Sequence, residues 1–278
     1  METIGTGAFY NCESLEEFEV PAPVVSITGF SGCKNLKRVT FLGANLETIG
    51  SYAFANCAAL KDLELPASVI TIDAYAFKAC SSLETLVIPE SVTTINRRVF
   101  EECTGLKTIV IPENVTTFLG RFTDCTSLES VSLNYRGEIP GYCFVGCKAL
   151  KNVHISDNIT GIGAYSFENC TALETISISR GVESLSVGMF IGCTNLREIH
   201  FEGEAPSFYS DSFSGVTATA YYPGELHSWT DEVLQNYGGN ITWVGYSVCT
   251  EHEYSAVVTN PTCTEGGYTT YTCSICGE

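Results

Sequence analysis

The chain has 278 residues, with 32 acidic and 14 basic side chains and a formal net charge of -18. That balance makes DNA, RNA and anionic membrane surfaces poor partners for the chain as a whole. No apolar run approaches the roughly 20 residues that span a bilayer. The first residues, Met1-Glu2-Thr3-Ile4-Gly5, carry no signal-peptide pattern and already lie partway into a repeat, so a longer parent protein is expected.

In chain order, one unit recurs. Phe-x-x-Cys-x-x-Leu appears at Phe9/Cys12/Leu15, Phe30/Cys33/Leu36, Phe54/Cys57/Leu60, Phe77/Cys80/Leu83 and Phe100/Cys103/Leu106. It continues at Phe122/Cys125/Leu128, Phe144/Cys147/Leu150, Phe167/Cys170/Leu173 and Phe190/Cys193/Leu196, and a worn copy has Phe213 with Val216 in the cysteine slot. Successive phenylalanines are 21 to 24 residues apart, mostly 23, within the range of leucine-rich repeats. The spacing of three suits a short, tight helical turn with one apolar side. An apolar anchor precedes most of the phenylalanines by five residues, as Ile49, Ile72 and Ile95 do. After each Leu the spacing becomes two, as in Leu86/Ile88 and Ile109/Ile111, which predicts a strand with one buried face. Pro21, Pro66, Pro89 and Pro112 end four of these strands. Each unit has an apolar set it cannot bury alone, so stacking into one continuous core is expected.

These units, Ile-x-x-x-Ala-Phe-x-x-Cys-x-x-Leu-x-x-Leu-x-Ile-Pro, resemble the BspA-like leucine-rich repeats over roughly residues 2 to 216. The resemblance implies a right-handed solenoid in a surface protein of a bacterium or a parasitic protist. It also implies a role in adhesion or in binding host or matrix proteins. It carries no ligand motif that transfers residue by residue.

Three segments are expected. Residues 1–216 form the solenoid. Residues 217–246 form a C-terminal cap, with a strand at 218–223, a short helix from Leu226 to Tyr237 ended by Gly238-Gly239, and a closing strand at 241–244. Trp229 and Trp243 read as cap core. Residues 247–278 form a small Cys/His module that stops abruptly and resembles short modules following repeat arrays in surface proteins of gut bacteria. The fold class is an α/β repeat solenoid with a parallel strand ladder, short helical turns and a helix–strand cap.

Of the 14 cysteines, nine fall at the repeat position, and Cys143 fills the small-residue slot before Phe144. They share the spacing of core residues, so they read as small apolar fillers rather than nucleophiles, which need exposure and nearby positive charge. The tail differs. Cys249-x-x-His252 and Cys273-x-x-Cys276 are two ligand pairs of the kind that close on a structural zinc, leaving Cys263 spare. Disulfides, or a cut-off disordered remnant, are the alternatives. No other cofactor is required. No catalytic spacing, phosphate loop or calcium loop occurs, and the Asn-x-Thr triplets read as chance, so no enzyme is expected.

The useful surface is the outward face of the strand ladder. Its first third is charged, at Glu17, Glu19, Arg38, Asp62 and Glu64. Further along come Thr85, Val87, Thr108, Val110, Ser130, Ser132, Asn152, His154, Thr175 and Ser177, a smooth face that suits docking of a protein or glycan on host or neighbouring cells. The plainer reading is that Thr and Val simply favour strands. The sequence thus points to a non-catalytic, surface-exposed or secreted binding protein with no membrane insertion in this stretch. The alternative is a structural spacer for another domain.

Overall fold

The computed structural model describes residues 2–61 and 63–247, and the backbone of Tyr254–Thr259 and Tyr268–Cys273. Its body is a stack of strand-bearing repeats. The main ladder has eleven rungs: Glu17–Val20, Arg38–Phe41, 63–65, 85–88, Thr108–Ile111, Ser130–Leu133, Asn152–Ile155, Thr175–Ile178, Glu198–Phe201, Thr217–Pro223 and Asn240–Tyr246. Every pairing among them is parallel, in register from repeat to repeat, as in Val131 opposite both Ile109 and Val153. Among the described residues, ladder hydrogen bonding is interrupted twice, between Arg38–Phe41 and 63–65 and between Asn152–Ile155 and Thr175–Ile178.

A second parallel ladder was not foreseen. The anchors before the phenylalanines form short strands of their own, Thr3–Ile4, Ser26–Ile27, Thr48–Ile49, Thr71–Ile72, Thr94–Ile95 and Thr117–Phe118. It resumes with Gly137–Ile139, Ile159–Ile162, Ser184–Leu185 and Ser207–Phe208. Most rungs turn their apolar residue inward and leave Thr or Ser on the other side, as Thr48–Ile49, Thr71–Ile72 and Thr94–Ile95 do, the alternation of a half-buried strand.

The turns between the ladders are not helical, and no helix occurs among the described residues. This corrects the expected α/β class: the structure is a parallel-strand β-solenoid. The reason lies in the backbone. Most turns place two residues in the left-handed region four apart, such as Tyr75 (φ 60°) with Ala79 (φ 56°) and Arg98 (φ 55°) with Glu102 (φ 62°), and the others place one there, such as Asp124 (φ 59°). A right-handed helix cannot pass through such residues. Alternate amides divide their work. Ala76, Lys78 and Cys80 close turns on the carbonyls of Asp73, Tyr75 and Phe77, while Tyr75, Phe77 and Ala79 donate to Arg97, Val99 and Glu101 in the following repeat. The spacing of three therefore reported turns closed on the third residue back, stitched sideways instead of continued axially.

The core runs the length of the stack. Nine phenylalanine rings from Phe9 to Phe190 stack face to face, with centroids 4.9 to 6.0 Å apart and planes within 19°. Phe9 is half-buried, and full burial of each ring from Phe30 to Phe190 contributes about 1.5–3 kcal/mol. The repeat cysteines from Cys33 to Cys193 are buried, and Cys12 in the first turn is exposed.

The cap is also corrected. Thr217–Pro223 and Asn240–Tyr246 are strands, but they extend the main ladder. Residues 226–237 form successive turns, not a helix. Trp229 packs on Phe201 at 4.9 Å and donates Nε1–H to the Gly203 carbonyl at 3.0 Å. Trp243 donates to the Gln235 carbonyl at 3.0 Å. Both tryptophans belong to the aromatic cluster that closes this end. In the tail, Tyr254–Thr259 pairs antiparallel with Tyr268–Cys273.

Candidate functional site

The outward face of the main ladder assembles by register. Thr85, Thr108, Ser130 and Asn152 form one column. Glu64 stands beside Val87, and Val110, Ser132 and His154 continue that second column. Beyond the second interruption, Thr175 aligns with Glu198 and Thr219, and Ser177 with His200 and Tyr221. The expected face residues thus lie on one surface in two columns, because strand side chains alternate and the repeats stay in register. Val87 and Val110 are the conspicuous pair, 78% and 51% exposed on adjacent rungs.

A hollow of about 360 Å³ opens at the second interruption, where no ladder bonds join Asn152–Ile155 to Thr175–Ile178. Ser130, Asn152, His154, Thr175 and Ser177 line it, together with Lys151 and Glu202. A second hollow, about 490 Å³, occupies the first interruption, between Arg38, Thr40 and Phe41 on one side and Glu64, Leu65 and Pro66 on the other. Both hollows therefore mark places where the ladder parts.

Electrostatics along the flank is local. Glu84 bridges Lys107 at 2.7 Å and Lys61 at 3.2 Å, and the Lys107 hydrogen bond holds its carboxyl below the usual range. Such exposed pairs add little stability. His154 hydrogen-bonds no serine or carboxylate among the described residues. His200 Nε2 lies 3.0 Å from Glu198 and its ring stacks on Tyr221 at 4.7 Å. Tyr221 and Val244 extend this column into the last two rungs, and sequence reasoning missed them because 217–246 had been set apart as a cap. The signal was present in the alternation of Ala218, Ala220 inward with Thr219, Tyr221 outward.

The cysteine slot has a chemical purpose beyond its size. Each repeat-position thiol from Cys33 to Cys193 donates to the phenylalanine carbonyl one repeat back, at 3.0 to 3.2 Å, whereas Cys143 reaches the Gly120 carbonyl at 3.6 Å. Burial pushes the thiols of Cys57 and Cys103 up to about 12, and those of Cys80, Cys125 and Cys143 well above the usual range. These are poor nucleophiles. Among the described residues no group of three or more His, Cys, Asp or Glu converges as a metal site. Of the expected zinc ligands, Cys249, His252 and Cys276 lie outside the described residues, as does Cys263, and Cys273 is described only in its backbone.

The profile described as BspA type leucine rich repeat region matches residues 2–121 and 119–236, in six copies. The chain belongs to that family. The BspA-type match extends past residue 216 into the segment expected as a separate cap, in keeping with the ladder's continuation there. Among solved structures, the pneumococcal vaccine antigen PcpA is similar at 22% identity and a TM-score of 0.53, covering 84% of this chain and 69% of that one. A leucine-rich cell surface protein of Faecalibacterium prausnitzii is similar at 24% identity and a TM-score of 0.45, covering 88% and 83%. A leucine-rich repeat protein of T. pallidum is similar at 27% identity and a TM-score of 0.43, covering 70% and 71%. No curated protein matches the chain. No helix among the described residues is long and apolar enough to cross a membrane.

Proposed function

We propose that this BspA-type array is a non-catalytic binding module, surface-exposed or secreted, whose main-ladder face docks a protein or glycan on host or neighbouring cells. The observation that carries the reading is the pair of exposed valines on adjacent rungs, next to a hydroxyl-lined hollow. Isolated exposed apolar residues are ordinary, but an apolar pair flanked by small hydroxyls offers a desolvatable centre with a polar rim. Family membership supports the extracellular setting. The net charge of -18 argues against nucleic acid. A right-handed superhelix, and a structural zinc on Cys249, His252, Cys273 and Cys276, belong to the same proposal.

The test is competition. Added as a soluble protein, the chain should block adhesion of cells that display the parent protein. Undiminished adhesion at saturating soluble chain would favour the second reading, a spacer that holds another domain away from the surface.

A further inference from the structure

The first interruption of the main ladder joins apolar surface to unpaired charge. Its hollow of about 490 Å³ has Val39, Phe41 and Ala44 on one side and Leu65, Pro66 and Ala67 on the other. Phe41 and Leu65 are half-buried, and Ala44 and Ala67 are exposed. Leu42, next to Phe41, is 56% exposed. The parting of the ladder thus leaves apolar surface in water, and an apolar side chain from a partner would remove it from water.

The second outward column passes beside this hollow. It reads Glu19, Thr40, Glu64, Val87 and Val110, each the fourth residue after its repeat Leu. Thr40 and Glu64 line the hollow, and Glu19 stands opposite Thr40 on the preceding rung. Glu19 and Glu64 are exposed, and neither has a basic partner among the described residues. The bases of these rungs are engaged elsewhere. Lys37 pairs with Glu16 at 2.7 Å, Lys61 with Glu84 at 3.2 Å, and Arg38, which also lines the hollow, with Glu17 at 3.8 Å. Two carboxylates without counter-charges therefore flank the hollow along the column.

That combination selects the occupant. A partner seated on Val87 also covers Glu64, its cross-strand neighbour. A carboxylate covered without a cation loses its water uncompensated, which is costly. A neutral or acidic partner incurs that cost, and a basic one removes it. The net charge of -18 steers a basic partner in as well. In an extended segment, residues i, i+2 and i+4 face one side and span about 13 Å. Glu19 and Glu64 are two rungs apart, roughly 10 Å at ladder spacing, and the parting adds to it. A polyamine supplies the charge without the apolar side chain. We propose that the first interruption docks an extended basic segment of a partner protein, one apolar side chain in the hollow and a Lys or Arg two residues to either side on Glu19 and Glu64. This names the partner of the main-ladder face and rests on the reading that the face docks a macromolecule.

Calorimetric titration of the purified chain with the end-blocked peptide Thr-Lys-Thr-Phe-Thr-Lys-Thr tests the proposal. The same peptide with Ala for Phe, the same with Glu for both Lys, and spermidine serve as comparisons. The Lys-Phe-Lys peptide should bind, and each comparison roughly tenfold or more weaker. E19Q/E64Q should lose roughly tenfold or more at an unchanged thermal midpoint, because neither side chain has a partner to give up. A photoreactive benzoyl-phenylalanine in place of Phe should crosslink within 39–44 or 64–67. Equal binding of the Glu peptide or of spermidine, indifference to E19Q/E64Q, crosslinks elsewhere, or no binding of the Lys-Phe-Lys peptide at millimolar concentration would each overturn it. A macromolecular partner lost by V87K/V110E but held by E19Q/E64Q would overturn it too, and leave the docking face standing. The peptide bound as expected, with adhesion undiminished by the soluble chain, would support it and count against the cellular role alone.

Discussion

The thiol of Cys80 donates to the carbonyl oxygen of Phe54, one repeat back, at 3.1 Å. That same oxygen already accepts the backbone N–H of Cys57 at 3.1 Å. The thiol therefore takes the second lone pair and clips neighbouring repeats together beside the stacked rings. Valine at this position would fill the slot without the donor, and the carbonyl would keep one bond. Cys80→Val should accordingly cost about 0.5–1.5 kcal/mol. Cys80→Ala, which adds a cavity, should cost more, about 1–3 kcal/mol. Urea unfolding midpoints at constant slope measure both; a Val variant worse than the Ala variant would contradict this division.

The raised thiols predict an alkaline limit to stability. In the unfolded chain a thiol ionises near its ordinary value of 9.0, while folded Cys57 and Cys103 hold their protons to about 12. The unfolded state thus loses protons first, so the contribution is complete below about pH 9 and drains away between 9 and 12. Each thiol should remove about 1.4 kcal/mol per pH unit in that window. Unfolding measured at pH 8, 9 and 10 should show the decline, and a variant with Cys57 and Cys103 both replaced by Val should show a shallower one. Alkylation at pH 8 should label Cys12 and leave Cys33 to Cys193 unreacted until denaturant is added.

Ser166 marks a cost the sequence hides. It is fully buried in the slot that Ala53 and Ala76 fill in earlier repeats, and its hydroxyl has no hydrogen-bond partner. Ser166→Ala should raise stability by about 1–3 kcal/mol, the usual cost of an orphaned buried hydroxyl. A destabilised variant would mean that the hydroxyl is satisfied after all.

Trp229 closes the far end through Phe201 and the Gly203 carbonyl. Trp229→Phe should lose about 1 kcal/mol with the hydrogen bond, and Trp229→Ala about 3–5 kcal/mol with the packing. Because each repeat leans mainly on its neighbours, the damage should stay local. Hydrogen exchange should quicken across 198–246 and remain slow around Phe77 to Phe144.

The repeat was legible because Phe, Cys and Leu recur at fixed spacing, and the inward strand residues from Phe18 to Phe201 were placed on the correct side. Three things were not. A spacing of three is shared by helical and non-helical turns, and only the positive φ of residues such as Tyr75 and Glu102 separates them; a Tyr or Glu does not advertise that conformation as Gly would. The second ladder has rungs of two residues, Thr71–Ile72 for example, too short for alternation to register. The continuation of the face to Tyr221 and Val244 escaped notice because 217–246 reads as a separate cap. The main-ladder face, by contrast, followed directly from alternation, including Val87 and Val110.

The central claim is that this face binds. The direct measurement is the affinity of the purified chain, against a panel of extracellular-matrix proteins and glycans, compared with that of V87K/V110E. Those changes put alternating charge beside Glu64, the cross-strand neighbour of Val87, and so should leave the ladder folded. The account predicts a partner on the panel whose affinity falls roughly tenfold or more in the variant at an unchanged thermal midpoint. A partner bound equally well by both proteins would contradict it.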